Sequence, residues 1–340
     1  MPNIASILNS AVGKTDRINV LTFATHERYQ SAWSKVKANF FLWNDEKSKP
    51  WVHKYAPMPE NHILLPFHSS TPAIPVGVDI DLVITHHLSQ YDRALQAATH
   101  LNVPLLRLEH CLPDEVWSPE QRKFLITKKG DVNIFITQHQ LSSWGGDKND
   151  SIIYNAIDTT LFSPGEDSQR EPVCLSVVND WVKRDSVCGF SFWKLASKDL
   201  PVKVLGDTPG VSKAAANVGE LAAAYRNSLL FLCTATNSSL PTTVLEAMSS
   251  GCCVIAYRAT AIEEAIEHGV DGFLVDSPEQ MNALAKRLLT NPAYCEAIGK
   301  KAREKALNRH NLDVFVEKWN QTLCLAVNAP WWRKQWLDYA

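Results

Sequence analysis

The first clear feature of the chain is a short apolar run, Ile18-Asn-Val-Leu-Thr-Phe-Ala24, rich in strand-forming residues and closed by the polar stretch Thr25-His-Glu-Arg-Tyr-Gln-Ser31. Runs of this kind predict buried strands at Asp79–Thr85, Pro104–Leu108 and Val132–Thr137. Helical spacing fills 27–40, leading to the aromatic patch Phe40-Phe-Leu-Trp43, and again 90–101. The same rhythm returns after residue 170, with strands at 173–178, 202–205, 229–234, 253–256 and 272–275. Helices are expected over 187–197, 218–227, 243–250 and 263–268, and helical pattern dominates from Pro278 onward. Short apolar strands alternating with helices predict parallel sheets with crossover helices. The chain therefore reads as two α/β halves, separated by the polar stretch Ser163–Glu171. Its 340 residues agree with two domains at about 150 residues each.

Composition narrows the classes. Thirty-four Lys+Arg against 36 Asp+Glu give a net charge of −2, so no global basic field of the nucleic-acid-coating kind exists. The 8 Cys form no CxxC pair, and six sit in or beside apolar runs, which predicts buried free thiols in a reducing cytosol. No zinc-ligand spacing occurs, so no metal is expected. The opening MPNIASILNSAVGKTDR lacks a basic-then-apolar signal pattern, and no run of 18 apolar residues occurs, so a cytoplasmic protein without integral membrane association is expected. The 11 His are uneven: only His268 and His310 lie after residue 160.

The most informative segment is Ser238-Ser-Leu-Pro-Thr-Thr-Val-Leu-Glu-Ala-Met-Ser-Ser-Gly251. A strand, a polar loop and then a helix starting near Thr243 would aim helix N–H groups at the end of the sheet, where an anion binds. Glu246 is read into the first turn of that helix, where its charge is favourable. This segment resembles the EGxPxxxLEAMAxG motif of the retaining GT-B glycosyltransferases of family 4. Tyr154–Pro164 is similar to that family's NGVDxxxFxP segment at the domain junction, Val204-Leu-Gly-Asp207 to its VGDG turn, and Glu264–Val275 to its ExIxxGxxGxLV tail. The resemblance spans roughly 150–310 and is architectural upstream.

It implies two Rossmann-like domains with parallel sheets facing across a cleft. Residues 1–162 would bind the acceptor and 172–312 the nucleotide-sugar, with helices of 313–340 packing back on the first domain. It also implies metal-independent retaining transfer, of a hexosyl or pentosyl group, with a UDP-sugar as co-substrate and no further cofactor. Glu246 matches the second Glu of the family's E-x7-E pair, which bonds the nucleotide ribose; a carboxylate can accept from two hydroxyls. The diphosphate cations fall on Asn179-Asp-Trp-Val-Lys-Arg-Asp185, where the family's spacing is broken; Arg184 is preferred over Lys183 because its fork suits two oxygens. Asn237, Ser238, Ser239, Thr242 and Thr243 complete the donor side. Ser238 stands where the first Glu of the pair belongs, so either the sugar is unusual or catalysis is lost.

On the acceptor side, His26 follows the first strand, His86 and His87 the strand ending at Thr85, and His110 the strand ending at Leu108, the place of a family His near the reacting carbon. Together with Thr25 and Glu27 these loops would open at strand carboxyl ends, where ligands bind. His110, Arg184 and Ser238 are the candidate catalytic residues. The compact N-terminal half looks similar to phage-encoded members, some of which glycosylate hydroxylated bases of double-stranded DNA, which would place the chain in the host cytoplasm. Lys35, Lys37, Lys47, Lys49, Lys54, Arg122, Lys123, Lys128 and Lys129, interleaved with Trp33, Trp43 and Trp51, fit such a face through phosphate pairing and base stacking. Two competing readings stay open: a non-catalytic sugar-nucleotide or nucleic-acid binding module, and an enzyme acting on a lipid or oligosaccharide, the tail Trp331–Trp336 then serving as an interfacial anchor.

Overall fold

The computed structural model describes residues 17–53, 55–113, 117–165, 170–259 and 261–329. Lys54 and the tail Trp331–Trp336 lie outside them. The described chain forms two compact units. The first holds residues 17–136, 141–153 and 313–329; the second holds 137–140 and 154–312. Residues 154–162, which the sequence places with the first domain, belong by contact to the second. The Ile157 amide donates to the His310 carbonyl at 2.8 Å, and the Ser249 hydroxyl to the Phe162 carbonyl at 2.6 Å.

The first unit is built on a seven-stranded sheet, entirely parallel, in the order β3-β2-β1-β4-β5-β6-β7. Its strands are β1 (Ile18–Phe23), β2 (Ala38–Trp43), β3 (His62–Leu64), β4 (Leu82–Thr85), β5 (Leu105–Leu108), β6 (Val132–Phe135) and β7 (Ser151–Ile152). The helices are α1 (Glu27–Ser31), α2 (Leu88–Leu101), α3 (Pro119–Ile126) and α4 (Gln138–Ser143), whose residues 138–140 are counted with the second unit and 141–143 with the first. The helix expected over 27–40 is the largest departure. It stops at Ser31, passes through one 3₁₀ turn, and gives way to β2, all six of whose residues are buried. A short apolar run cannot be assigned by periodicity alone, and ANFFLW finds its partner in β1, with Val20 opposite Phe40.

The second unit carries a five-stranded parallel sheet in the order β12-β11-β10-β8-β9. Its strands are β8 (Glu171–Val177), β9 (Val202–Leu205), β10 (Ser228–Cys233), β11 (Cys253–Tyr257) and β12 (Phe273–Val275). Its helices are α5 (Asp185–Cys188), α6 (Phe190–Ala196), α7 (Val218–Asn227), α8 (Thr242–Ser249), α9 (Ile262–Ala265), α10 (Pro278–Leu289) and α11 (Pro292–Arg309). A last helix, α12 (Leu312–Asn328), lies almost wholly in the first unit and presents Phe315 and Trp319 to Tyr29 and Trp33. The single helix expected over 187–197 is divided at Gly189, whose φ of 67° is left-handed. A Cβ there would lie 1.9 Å from the Thr234 carbonyl oxygen, so glycine is required by both conformation and close approach. Six of the eight cysteines are buried and all are free. Trp33, Trp43 and Trp51 are core residues, 0%, 4% and 6% exposed, so they form no stacking surface for bases.

Candidate functional site

In an open parallel sheet, ligands bind beyond the strand carboxyl ends at the point where strand order reverses. In the second unit that point lies between β8 and β10. Two loops leave it, 178–184 after β8 and 234–241 after β10, and the second is tied to α5, the short helix that directly continues the first. The Thr236 amide donates to the Val187 carbonyl at 2.9 Å, the Thr236 hydroxyl to the Ser186 carbonyl at 2.7 Å, and the Thr234 hydroxyl to the Cys188 carbonyl at 3.1 Å. The first loop is anchored by Trp181, fully buried, whose indole N–H donates to the Cys188 carbonyl at 2.9 Å. It is braced from β9 as well: the Asp207 amide donates to Asn179 Oδ1 at 2.8 Å, and the Asp180 amide to the Asp207 carbonyl at 2.8 Å. Lys183 and Arg184 project from this fixed loop into solvent. Asn237 and Ser238 are half-buried, whereas Ser239 is buried and accepts from Gln140 Nε2 at 3.2 Å. Helix α8 starts at Thr242 after Pro241 with no side chain capping it, Thr242 exposed and Thr243 half-buried. The surface thus joins two cations, two polar loop residues and an uncapped helix N-terminus, a combination that suits phosphate oxygens.

Glu246 departs from its expected setting. It lies in the second turn of α8, not the first, and is wholly buried. The Tyr225 hydroxyl, from α7, donates to its Oε2 at 2.8 Å. The dipole argument for its charge therefore fails, because that effect fades beyond the first turn. A buried carboxylate is tolerated where donors replace its water, and Tyr225 supplies one. Tyr225 and the anchor Trp181 are absent from the sequence-based set. Nothing in their local patterns marks them, since each acts through a partner brought close only by folding.

The first unit reverses strand order between β1 and β4. The loops following these two strands carry Thr25, His26 and Glu27, and His86 and His87; the next strand, β5, delivers His110. The four histidines meet. The His26 and His110 rings lie 4.2 Å apart between centroids, His26 and His87 5.0 Å, and His86 and His110 5.3 Å with a 6° interplanar angle. His86 is fully buried; its Nδ1 is 3.0 Å from His110 Nε2 and its Nε2 is 3.0 Å from Thr22 Oγ1. His87 Nε2 is 3.1 Å from the Thr25 hydroxyl, and Tyr29 meets His110 edge-on at 4.9 Å. Glu27 is held away from the rings' chemistry by accepting from the Val52 amide at 3.0 Å. His26 is exposed, with a left-handed φ of 49°. Burial, then neighbouring imidazoles, push His86 and His110 well below the ordinary histidine pKa. Burial and then His26 and Lys49 hold His87 at about 4. The cluster is therefore a patch of neutral imidazoles at pH 7. Among the described residues no group of three His, Cys, Asp or Glu is arranged to hold a metal ion.

Four basic residues of the expected nucleic-acid face have partners within the first unit, among them Arg122, which donates to the Ser143 carbonyl at 3.3 Å, and Lys35, 4.0 Å from Asp313. Lys128 pairs with Asp92 at 2.6 Å, and Lys129 donates to the Gly145 carbonyl at 3.2 Å. No helix of the described chain is long and apolar enough to cross a membrane.

Residues 214–305, within the second unit, match the family model described as glycosyl transferases group 1. No curated protein sequence matches the chain. Among solved structures, HepE of Anabaena in complex with UDP is similar over 91% of this chain and 99% of its own, with a TM-score of 0.69 at 15% identity. Sucrose-phosphate synthase of Thermosynechococcus elongatus is similar over 95% and 100%, with a TM-score of 0.68 at 15% identity. A glycosyltransferase of Rickettsia africae is similar over 93% and 100%, with a TM-score of 0.66 at 13% identity. The chain has the α/β fold with two parallel sheets that GT-B glycosyltransferase structures share.

Proposed function

We propose that the protein is a glycosyltransferase that moves a sugar from a nucleotide-sugar donor, a UDP-sugar, to a hydroxyl acceptor. The observation that carries this reading is the surface at the β8/β10 switch point, where the braced loop bearing Lys183 and Arg184 runs into α5, and α5 is bonded to the loop bearing Asn237 and Ser238. HepE, of the same fold, is described in complexes with UDP and with UDP-glucose. In this chain Arg184 takes two diphosphate oxygens, with Lys183 and the first amides of α8 adding positive charge, so the leaving group is neutralised by the chain itself. Developing charge on the leaving phosphate is where such preorganised donors lower the barrier most. Transfer is retaining by front-face attack: the leaving phosphate oxygen takes the acceptor hydroxyl proton as that hydroxyl oxygen bonds to the anomeric carbon. The first unit contributes the acceptor side, with His110 toward the transferred sugar.

Glu246 is held by Tyr225 inside the second unit, and a ribose contact is the finer reading its family position suggests. A hydroxylated DNA base as acceptor rests on the loop likeness alone, and the buried tryptophans supply it no stacking surface. Ser238 in place of a carboxylate favours one second reading, a module that binds the donor without turnover. Calorimetry with UDP and with uridine tests the donor site. Arg184→Ala should weaken UDP about tenfold to a hundredfold, the range for a hydrogen bond to a charged group, and leave uridine unchanged. Equal effects on both ligands would remove Arg184 from the diphosphate.

A further inference from the structure

The first unit holds a cavity of about 540 Å³, inside the range of about 300–1,000 Å³ usual for small-molecule sites. Trp43, the last residue of β2, forms one wall, Arg93 and Ala97 of α2 a second, and the loop residues Thr71, Pro72 and Ile74 a third. That loop is held in place: the His68 amide donates to the Asn44 carbonyl at 3.2 Å, the Thr71 amide to His68 Nδ1 at 3.3 Å, and the Val78 amide to the Pro75 carbonyl at 3.1 Å. Successive strand residues face opposite sides of a sheet. Phe23, Phe41 and Trp43 share one cluster with Ala94 and Ala97 of α2, whereas Thr22 and Phe40 meet His86 and Trp33. The cavity therefore lies on the opposite face of the sheet from His86, and glycosyl transfer makes no use of it.

The lining has a definite chemistry. Arg93 is its only Lys, Arg, Asp or Glu, and that charge is already balanced, because Nη1 donates to the buried Asp45 carboxylate. The guanidinium lies over the Phe23 and Trp43 rings, 5.2 and 5.4 Å from their centroids. Two buried N–H donors of these lining residues, Arg93 Nε and Trp43 Nε1, have no acceptor among the described residues. Buried donors left unserved are uncommon and costly. Ile74, Ala97 and Leu101 add apolar surface, and Thr71, Gln96 and His100 form an exposed rim. An anion here would face the Asp45 carboxylate with no cation of its own, and a hydrocarbon would leave the donors unserved. We propose that the cavity is a binding site for a small uncharged molecule with an apolar body and one oxygen acceptor, its oxygen taken by the N–H groups of Arg93 and Trp43 and its body resting on Ile74, Ala97 and Leu101. A carbonyl suits the site, since its two lone pairs can accept from both donors. The site stands whether or not the protein is a transferase.

The probe is 3-phenylpropanamide, titrated into ¹⁵N-labelled protein and followed through the indole N–H signals, with Trp43→Phe used for assignment. The Trp43 signal should move and saturate, while that of Trp181, in the second unit, stays fixed. The acid 3-phenylpropionate has the same body and a charge, and should bind about tenfold more weakly or worse. Thr71→Trp at the exposed rim and Ile74→Trp in the wall occupy the volume, and each should weaken the amide about tenfold or more; the rim variant tests the site even if the wall variant fails to fold. Arg93→Lys keeps a cation for Asp45 but loses the Nε donor, and should weaken the amide about tenfold. A Trp43 signal that does not move, or wild-type affinity in Thr71→Trp, would overturn the site. Equal or tighter binding of the acid would overturn the uncharged class, and wild-type affinity in Arg93→Lys would overturn the placement of the oxygen.

Discussion

Lowering the pH from 7.5 to 5 should destabilise the first unit through its enclosed histidines. His62 and His86 are both 0% exposed, and burial holds His62 at about 3 and His86 well below the ordinary 6.5. A histidine whose folded pKa is depressed contributes fully above the unfolded value, and loses that contribution as pH falls toward the folded one. Between pH 7.5 and 5 the unfolded chain takes up a proton at each site and the folded chain does not, which costs about 2 kcal/mol per enclosed ring. Glu109 opposes this. Burial raises it to about 7, above the ordinary 4.5, despite its ion pair with Arg107 at 2.8 Å, so its contribution grows as pH falls through that window. Its offset is about 2 kcal/mol, comparable to one histidine. His87 and His110 add in the histidine direction, discounted because they are partly exposed. The net loss is about 2–4 kcal/mol, or a fall of about 1–2 M in the urea midpoint. Urea titrations followed by tryptophan fluorescence should show it, and His62→Gln should reduce the pH dependence by about 2 kcal/mol. A midpoint that is constant, or higher at pH 5, would refute neutral burial of these rings.

Tyr225→Phe should cost about 1–3 kcal/mol, the range for taking a hydrogen-bond partner from a buried polar group, because Glu246 is sealed from water; a change in the unfolding transition below about 0.5 kcal/mol would show that the bond contributes nothing. Gly189→Ala places a Cβ 1.9 Å from the Thr234 carbonyl at a left-handed φ, so it should destabilise by about 1–3 kcal/mol or more and weaken UDP binding as the two donor loops part; wild-type stability and affinity would contradict that coupling. Ser238→Glu should lower transfer from the preferred donor and favour a common hexose nucleotide, read by mass spectrometry across a donor panel; an unchanged donor profile would remove Ser238 from sugar choice.

The strands were legible because each is a short apolar run closed by polar residues, and β1, β4, β5, β6, β8, β9, β10, β11 and β12 fall where that pattern places them. β2 was misread because ANFFLW carries no alternation and follows a true helical turn. β3 has three residues, one a histidine, too few to show a period. The loops bearing His26, His86, His87 and His110 followed from the strand ends. Their convergence did not, because it depends on β4 inserting between β1 and β5 in the sheet order. Glu246 was placed near a helix start by spacing alone. Its burial against Tyr225 joins positions 21 residues apart and has no local signature. Gly189 carried no signal either: the approach of Thr234 that forbids a side chain is a tertiary fact.

Glycosyl transfer is read out by incubating the purified protein with a panel of nucleotide-sugars and hydroxyl acceptors, including oligosaccharide, lipid and hydroxymethylated DNA, and measuring nucleoside diphosphate release together with acceptor mass. A glycosyltransferase should release nucleoside diphosphate from a UDP-sugar with a matching gain of one glycosyl unit on an acceptor. Both signals should fall together in Arg184→Ala. Tight UDP binding with neither release nor mass gain across the panel would contradict transfer and leave a binding module in its place.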